Sequence, residues 1–222
     1  MKRIVIIVFI LLSSIAFGQN HFLGVQGGGS ITNITAKEDF NDTGMRTGFS
    51  GGISYTLKIS KKYQLGVNAL YSQFGFTDDI ILTDDIGAYL GKEINKFNYD
   101  YLSIPLKMGY VMGNKVRVIP RIGIVPSFLL DAKTIVPYFD SNGNIVSHKT
   151  LDVKDDVSKF DFGGMIELGF ENRLSDNILF CLDLNYKHSV TTFSNSDYFD
   201  GLNMRHFGFS VVVGLKYLLN KQ

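Results

Sequence analysis

The residues best suited to acyl-transfer chemistry lie near the C-terminal end of the chain. His188 and His206 are close in sequence to three serines: Ser189, Ser194 and Ser196. Acyl transfer needs a serine, a histidine and a carboxylate in mutual contact. The spacing here carries no such signature, so we expect solvated histidines at a rim of the fold and assign no catalytic residue. An enzyme is kept as a less favoured alternative.

Metal and redox sites have weaker support. The single cysteine, Cys181, excludes an intrachain disulfide and a CxxC-type site, and we expect it to be a small buried filler. Asp140 begins a calcium-loop-like segment, but Ile145 and Leu151 stand where that motif needs Gly and Glu. Residues 141–144 are better interpreted as a hairpin tip. The segment 77–95 has a net charge of −4 and is expected to be a solvated loop, with a divalent-cation site as the alternative. No cofactor is expected.

The first 18 residues have the pattern of a cleaved signal peptide. A basic start at Lys2 and Arg3 precedes an apolar run over 4–12, and Ala16-Phe17-Gly18 is a small-x-small cleavage signal. A membrane-anchoring helix would need roughly 20 apolar residues, and this run ends too early. We expect cleavage before Gln19, which leaves 19–222 as one domain.

The composition restricts where that domain can be. The 222 residues carry a net charge of +1, with 45% hydrophobic and 13% aromatic residues. This balance favours neither a nucleic-acid partner nor an acidic disordered tail. After Gly18 there is no uncharged apolar run near the length of a spanning helix. Two possibilities follow: a soluble exported domain, or a β-barrel that closes on itself within a membrane.

Alternation with period two, rich in aromatic and β-branched residues, predicts eight strands. Most are longer than the usual strand and long enough to cross an apolar layer at a tilt. They cover residues 22–33, 48–57, 63–76, 98–111, 115–130, 160–174, 178–191 and 204–219.

The predicted connectors alternate between long and short. The long ones are 34–47, 77–97, 132–159 and 192–203, and the short ones are 58–62, 112–114 and 175–177. Gly113-Asn114 and Asp176-Asn177 are good tight-turn pairs. In an up-and-down barrel, alternate connectors share one end, so this order predicts short periplasmic turns and four long outer loops.

One face of each later strand is apolar, and the other carries charged and small residues. A soluble, ligand-binding barrel of the lipocalin type would turn the apolar face inward. Strand length, loop asymmetry and tyrosines expected at the two interfaces favour the apolar face outward, towards lipid. We place Tyr63, Tyr110 and Tyr217 at the short-turn interface, and Tyr71 and Tyr99 towards the other.

With this facing, nine charged side chains share the lumen. An eight-stranded barrel is just wide enough to be filled by side chains, and charges away from bulk water must be paired. The expectation is therefore an ion-pair network that plugs the lumen, with a narrow channel as the alternative. The residues are Lys107, Arg117, Arg121, Asp161, Glu167, Glu171, Asp183, Lys187 and Lys216.

Three prolines conflict with regular strands. Pro105, Pro120 and Pro126 lie inside two adjacent predicted strands, and each removes a backbone donor from the ladder. We expect bulges there, or lumen water bound to the orphaned carbonyls, and a bulge would shift the facing of later residues.

Several segments resemble the PorT-like outer-membrane β-barrel family of the Bacteroidetes. They are the 99–110 strand with its Tyr-Leu-Ser-Ile-Pro-Leu core, the 161–169 segment and the closing 207–217 segment. A signal peptide ending just before Gln19 is similar too. The chain departs from many outer-membrane barrels in ending Asn-Lys-Gln instead of Phe, where Tyr217 is the nearest aromatic. The resemblance implies an outer-membrane barrel, and one branch of the family participates in type IX protein secretion.

Together these observations predict an all-β, eight-stranded antiparallel transmembrane barrel in the outer membrane of a Gram-negative cell. Its expected role is structural or interactional rather than enzymatic. Lipid-modifying activity and a soluble ligand-binding barrel are less favoured alternatives. The expected partners are outer-membrane lipid, the barrel assembly machinery during biogenesis, and envelope or secretion proteins, with no nucleic acid.

Overall fold

The computed structural model describes residues 20–36, 43–83, 86–87, 89–139, 145–195 and 202–219. The signal peptide predicted at 1–18 lies outside them. The described residues form ten antiparallel strands. Nowhere in these ranges is there a helix long and apolar enough to cross a membrane. The strands are β1 (Asn20–Ala36), β2 (Gly44–Lys58), β3 (Tyr63–Thr83), β4 (Tyr89–Ser103), β5 (Leu106–Tyr110), β6 (Val116–Phe139), β7 (Ile145–Asp152), β8 (Phe160–Arg173), β9 (Ile178–Ser189) and β10 (Met204–Leu218).

The ten strands build a ring of eight. β4 and β5 are two halves of one barrel strand, because both pair with β3 in one continuous register. β7 pairs with the outer part of β6. The ring closes where β1 pairs with β10, from Phe22 opposite Leu218 to Ala36 opposite Met204. The prediction of an eight-stranded antiparallel up-and-down barrel is confirmed.

Apolar side chains cover the outside of the barrel, and polar and charged ones fill the inside. Along β10, Phe209, Val213 and Tyr217 are exposed, whereas His206 and Lys216 are buried. β1 and β2 present several glycines on the outer face. There the ring of Phe49 covers Gly27 and Gly51, where an added Cβ would lie 3.4 and 2.7 Å from its Cζ. An exposed aromatic thus supplies the apolar surface that these glycines lack.

The prolines cause no β-bulge in the strand pairing, contrary to the expectation from the sequence. β6 pairs with β8 in one register from Val116 to Phe128, through Pro120 and Pro126. Pro105 only interrupts the barrel strand between its two halves, β4 and β5, and its carbonyl accepts from the Asn68 amide at 3.1 Å. Facing is therefore preserved across all three prolines.

The irregularity in this part of the sheet lies further out along β6. The pairing of β4 with β6 shifts between Asp100 and Tyr101. On β6, Leu129 is buried and Leu130 is exposed, yet Ala132 is buried again. The inward parity thus changes from odd to even near Asp131, as an extra residue in one strand requires.

Two of the predicted long connectors are largely strand. β3 continues to Thr83 and β4 begins at Tyr89, so the expected connector 77–97, with its solvated loop 77–95, is largely a hairpin. The connector 132–159 contains the end of β6 and all of β7, although the expected tip 141–144 lies outside the described residues. A tilted strand crosses a bilayer in about 9–11 residues, and β6 has 24. Both hairpins therefore extend beyond the apolar belt. Local alternation continues into them, but their sequence lacks the apolar outer face that marks a spanning strand.

Tyrosines border the apolar belt at the short-turn end. Tyr63 and Tyr110 are exposed and meet edge to face, with ring centroids 5.4 Å apart. Tyr71 is exposed towards the other end, but Tyr99 is fully buried inside the barrel, so its predicted place at the interface is wrong. At the turn of β5 and β6, Gly113 has a φ of +84°, a left-handed conformation that favours glycine.

Candidate functional site

The centre of the lumen is organised around one guanidinium group. Arg121 projects inward from β6, and its Nη1 donates to Asp183 at 2.7 Å and to Glu167. Its Nη2 lies 3.3 Å from Glu171. When the Gln64 amide is oriented with its oxygen towards this group, it accepts from Nε and Nη2 at 3.0 Å each. These five side chains come from four barrel strands, so a single residue links opposite walls.

Further cations surround the same carboxylates. Lys107 Nζ donates to both oxygens of Glu167, at 2.9 and 2.8 Å. Glu171 accepts from Lys216 at 2.9 Å and lies 3.2 Å from a nitrogen of Arg117. Both carboxylates are almost completely buried, where an ion pair requires close partners on every side. Each of them has at least two cationic partners.

A second ionic group lies nearer the long-loop end. Lys187 donates to Asp161 at 2.7 Å and to Ser127 at 3.2 Å. Asp161 also accepts from Ser189 at 2.8 Å and from Thr191 at 3.1 Å. One buried carboxylate is thus satisfied by a lysine and two hydroxyls, which is the condition for keeping a charge away from water.

All nine charged residues predicted for the lumen take part in these ion pairs. Eight are buried, and the side chain of the ninth, Arg117, is 15% exposed. Five are basic and four are acidic. The structure divides them into the large group around Arg121 and the separate pair of Lys187 and Asp161. Period-two alternation identified the members, but not which of them pair. Their role as a plug stays a prediction.

A layer of buried aromatic rings follows on the side of the long loops. The Lys187 ammonium lies 4.3 Å from the ring centroid of Phe74, joining the two layers. His206 is fully buried, 5.2 Å from Tyr99 and 5.9 Å from Tyr101 between ring centroids. The expectation of a solvated rim histidine is therefore wrong for His206. The signal was available, because His206 has the same even, inward parity on β10 as Lys216.

Two loop residues complete this aromatic layer. Phe193 stacks on His206 with centroids 4.1 Å apart, and Val157 is 1% exposed. Backbone bonds hold the two loops together: Ser158 donates to the Phe193 carbonyl at 2.7 Å, and Phe193 donates to that of Met204 at 3.0 Å. The loops before β8 and after β9 thereby place apolar side chains across the mouth of the lumen. No periodic pattern marks these residues, so sequence reasoning missed them.

A smaller apolar group occupies the short-turn end of the lumen. Phe22, Leu179, Cys181 and Leu218 are all buried and form one cluster. Cys181 lies where the sequence predicted a small filler, on the lumen side of β9. This cluster separates the ionic group around Arg121 from the short-turn opening.

The cysteine provides an intrinsic probe of barrel closure. We expect a maleimide reagent to leave Cys181 unmodified in the folded protein, because its thiol is buried among apolar side chains and a thiolate must be reachable to react. Urea-unfolded protein should label completely. Mass spectrometry measures both states, and rapid labelling of the folded form would contradict the closed short-turn end.

A cavity of about 70 Å³ lies between the two ionic groups. One water molecule needs about 10–15 Å³ of such volume, so the cavity has room for a few. Its polar lining includes Gln26, Asn68, Ser103, Glu167, Asn185 and Lys187. Lining residues from both ionic groups, Glu167 and Lys187, place the cavity between them.

Among the histidines and serines that the structure describes in this group, none form a nucleophile–base pair. The Ser189 hydroxyl donates to Asp161 and not to a histidine, and His188 Nδ1 lies 3.2 Å from the Tyr186 hydroxyl. The Ser194 hydroxyl donates to a backbone carbonyl. Ser196 lies outside the described residues. The hydroxyl activation that acyl transfer requires is therefore absent from the described part of this group.

The outer hairpins carry paired charges. Asp79 lies 2.5 Å from Lys92, across β3 and β4. Burial raises the pKa of the Asp78 carboxyl, against a hydrogen bond from the Asp79 backbone that lowers it. Within the described ranges, no cluster of three or more histidine, cysteine or acidic residues could hold a metal ion. Asp84 and Asp85, part of the segment considered for a divalent cation, lie outside them.

A closed barrel with an apolar exterior, an ionic interior and outer hairpins defines the class of integral outer-membrane β-barrels. The family model described as "Outer membrane protein beta-barrel domain" matches residues 17–195. The chain belongs to this family and is an outer-membrane protein. A comparison with curated proteins finds no match.

Solved structures of the same architecture are similar to this chain at low identity. OprG of Pseudomonas aeruginosa has a TM-score of 0.47 and 13% identity, covering 91% of this chain and 97% of that one. Neisserial surface protein A has a TM-score of 0.45 and 14% identity, with coverages of 88% and 96%. Ail of Yersinia pestis, solved with a heparin analogue, has a TM-score of 0.41 and 11% identity, with coverages of 88% and 98%.

Proposed function

We propose that this protein is a plugged membrane scaffold with a structural or interaction role, which holds two long hairpins beyond the outer surface of the cell. The observation that carries the proposal is the ionic group around Arg121, which joins several walls of the barrel at the centre of the lumen. A permanent pore would leave such groups to water and would not need them to pair with one another.

The layers on both sides of the ionic group support the same role. Phe193 and His206 close the side of the long loops, and Phe22 and Leu218 close the other. An ion crossing the lumen would have to displace both apolar layers and break several buried ion pairs. The alternative role, a narrow channel, requires a concerted opening of all these layers.

The outer hairpins are the surfaces that such a scaffold would present. Tyr138 and Val146 are exposed on the hairpin of β6 and β7, and most of β7 is exposed. Exposed aromatic and aliphatic side chains on a rigid support are common in protein-binding sites. Envelope proteins are the partners that this location offers.

The resemblance to PorT-like barrels of the Bacteroidetes supports a finer proposal, an accessory role in type IX protein secretion. Tagged protein isolated from native membranes after crosslinking should then retain secretion components in constant ratio. A deletion of β7 should abolish that recovery without loss of barrel folding. Recovery of the barrel with lipid alone would contradict the accessory role but not the scaffold.

Planar-bilayer recording tests the plug. We expect wild-type protein to give no steady current steps, because the lumen is closed by side chains. Insertion is verified separately by heat-modifiable gel mobility of protein recovered from liposomes. Reproducible open channels of constant unit conductance would contradict the plug and establish the channel instead.

A further inference from the structure

Four exposed basic residues ring the short-turn end of the barrel, and we call them the basic rim: Lys61, Lys62, Lys115 and Arg173. They belong to the three short turns or the strand ends beside them. Within the described residues, none of the four forms an ion pair. The exposed acid of these turns is Asp176, so the rim carries a clear excess of positive charge.

Two half-buried cations, Lys58 and Arg117, extend this charge towards the lumen. Lys58 places its ammonium 4.6 Å from the ring centroid of Phe22 and lies within electrostatic range of Arg117, Arg173 and Lys216. The nearest buried carboxylate, Glu171, is already shared by Lys216, Arg117 and Arg121. The interior therefore offers the rim no free counter-charge.

The opposite end of the barrel is different. There Lys92 pairs with Asp79 at 2.5 Å, Lys133 with Asp131 at 2.6 Å, and Lys159 lies 3.9 Å from Asp155. Three lysines on the long-loop side thus have acidic neighbours in the protein. Within the described residues the four rim cations form no such pair, so they are available to anions from outside the protein.

The position of the rim indicates which anion that is. Lys62 directly precedes Tyr63, which with Tyr110 marks the edge of the apolar belt. Tyrosine rings at such an edge lie at the level of lipid headgroups. Basic side chains just beyond them are at the depth of the lipid phosphates, with which lysine and arginine form charge-assisted hydrogen bonds.

We propose that the basic rim binds the phosphates of anionic phospholipids in the membrane leaflet at the short-turn end. The rim attracts a negatively charged leaflet and fixes the depth at which the barrel lies in it. This inference concerns lipid at the short-turn end and stands independently of the plug and of the outer hairpins.

Native mass spectrometry of the detergent-solubilised full chain tests this inference by titration with phosphatidylglycerol or phosphatidylcholine. Wild-type protein should retain phosphatidylglycerol preferentially. The variant K61Q/K62Q/K115Q/R173Q should bind it about tenfold more weakly, because four attractive charges are lost. The matched control K96Q/K149Q/K154Q/R205Q removes the same residue types from sites towards the long-loop end that are exposed or, at Lys154, half-buried, and it should bind like wild type. Heat-modifiable mobility verifies that each variant is folded.

Three results would overturn the proposal. The first is equal retention of the two lipids by wild-type protein. The second is an equal loss of phosphatidylglycerol binding in both quadruple variants, which would indicate a general effect of net charge. The third is displacement of the lipid by glycerol 3-phosphate at the same concentration as lipid, which would identify a site for soluble anions instead.

Discussion

Replacing Arg121 with leucine is expected to lower the free energy of unfolding by about 3–5 kcal/mol, the range for removing one partner from a buried ion pair. The Arg121 side chain is 2% exposed and contacts Glu167, Glu171 and Asp183. Leucine fills part of the volume but leaves carboxylates buried without their shared cation. The chain has no tryptophan, so urea unfolding in liposomes is best followed by far-UV circular dichroism and by gel mobility.

Arg117→Leu is the matched control for this prediction. Its side chain is 15% exposed and, among the described residues, makes one ion pair, with Glu171. Glu171 keeps Lys216 and Arg121 in that variant, so we expect a clearly smaller loss of stability. Equal losses in the two variants would show that Arg121 is not the centre of the lumen network.

A second substitution distinguishes two causes of the lost stability. One is the loss of the ion-pair attraction, and the other is the cost of leaving a carboxylate buried without a cation. Among the described ion pairs, Asp183 pairs with Arg121, whereas Glu167 also has Lys107 and Glu171 also has Lys216 and Arg117. The double variant Arg121→Leu with Asp183→Leu therefore leaves the remaining carboxylates paired. We expect it to recover about half of the stability lost in Arg121→Leu, measured as a double-mutant cycle. A double variant less stable than Arg121→Leu would contradict this explanation.

The barrel strands and their facing could be predicted because they depend on local information. Period-two alternation determines which side chains share a face, whatever the neighbouring strand is. Lys107 and Glu167 could thus be assigned to the lumen from their own strands. Their 2.8 Å contact depends on the register of strands far apart in sequence, which no local pattern contains.

The buried aromatic layer was predictable from local information, namely the period-two alternation along β4 and β3. Tyr99 has the parity of Tyr101, yet its residue type suggested a membrane interface. On β3, Phe74 and Phe76 continue the inward face in the same manner. Continuing the alternation beyond the apolar belt would have assigned these rings to the lumen, because a strand keeps its facing until a bulge changes it.

The prolines show why the rule that proline disrupts a strand overestimated the disruption of the strand pairing here. Each removes one donor, but a missing donor leaves the register of the strand unchanged. Pro126 still accepts from the Ile104 amide at 2.8 Å, and Pro105 still accepts from Asn68. The change of parity occurs instead near Asp131, where the pairing of β4 with β6 shifts in register, just before β6 begins to pair with β7.

Phe193→Ala is expected to lower the free energy of unfolding by about 3 kcal/mol, the lower end of the range for a buried phenylalanine. The ring is fully buried and contacts His206 and Tyr99, with centroids 4.1 and 5.1 Å away. Its removal leaves a cavity above the lumen that the paired loops cannot fill, because backbone bonds on both sides of residue 193 hold them in place. Urea unfolding in liposomes measures the loss.

Tyr138→Ala provides the comparison, since that aromatic is 57% exposed on the outer hairpin and its truncation should change stability by less than about 0.5 kcal/mol. Phe193→Ala should also exchange the amide hydrogens of positions 193 and 158 with deuterium faster than wild type, because the backbone bonds of the two loops lose the ring that shields them. If Phe193→Ala unfolds and exchanges like Tyr138→Ala, the loops do not close the lumen, and the long-loop end of the barrel is open to water down to Lys187 and Asp161.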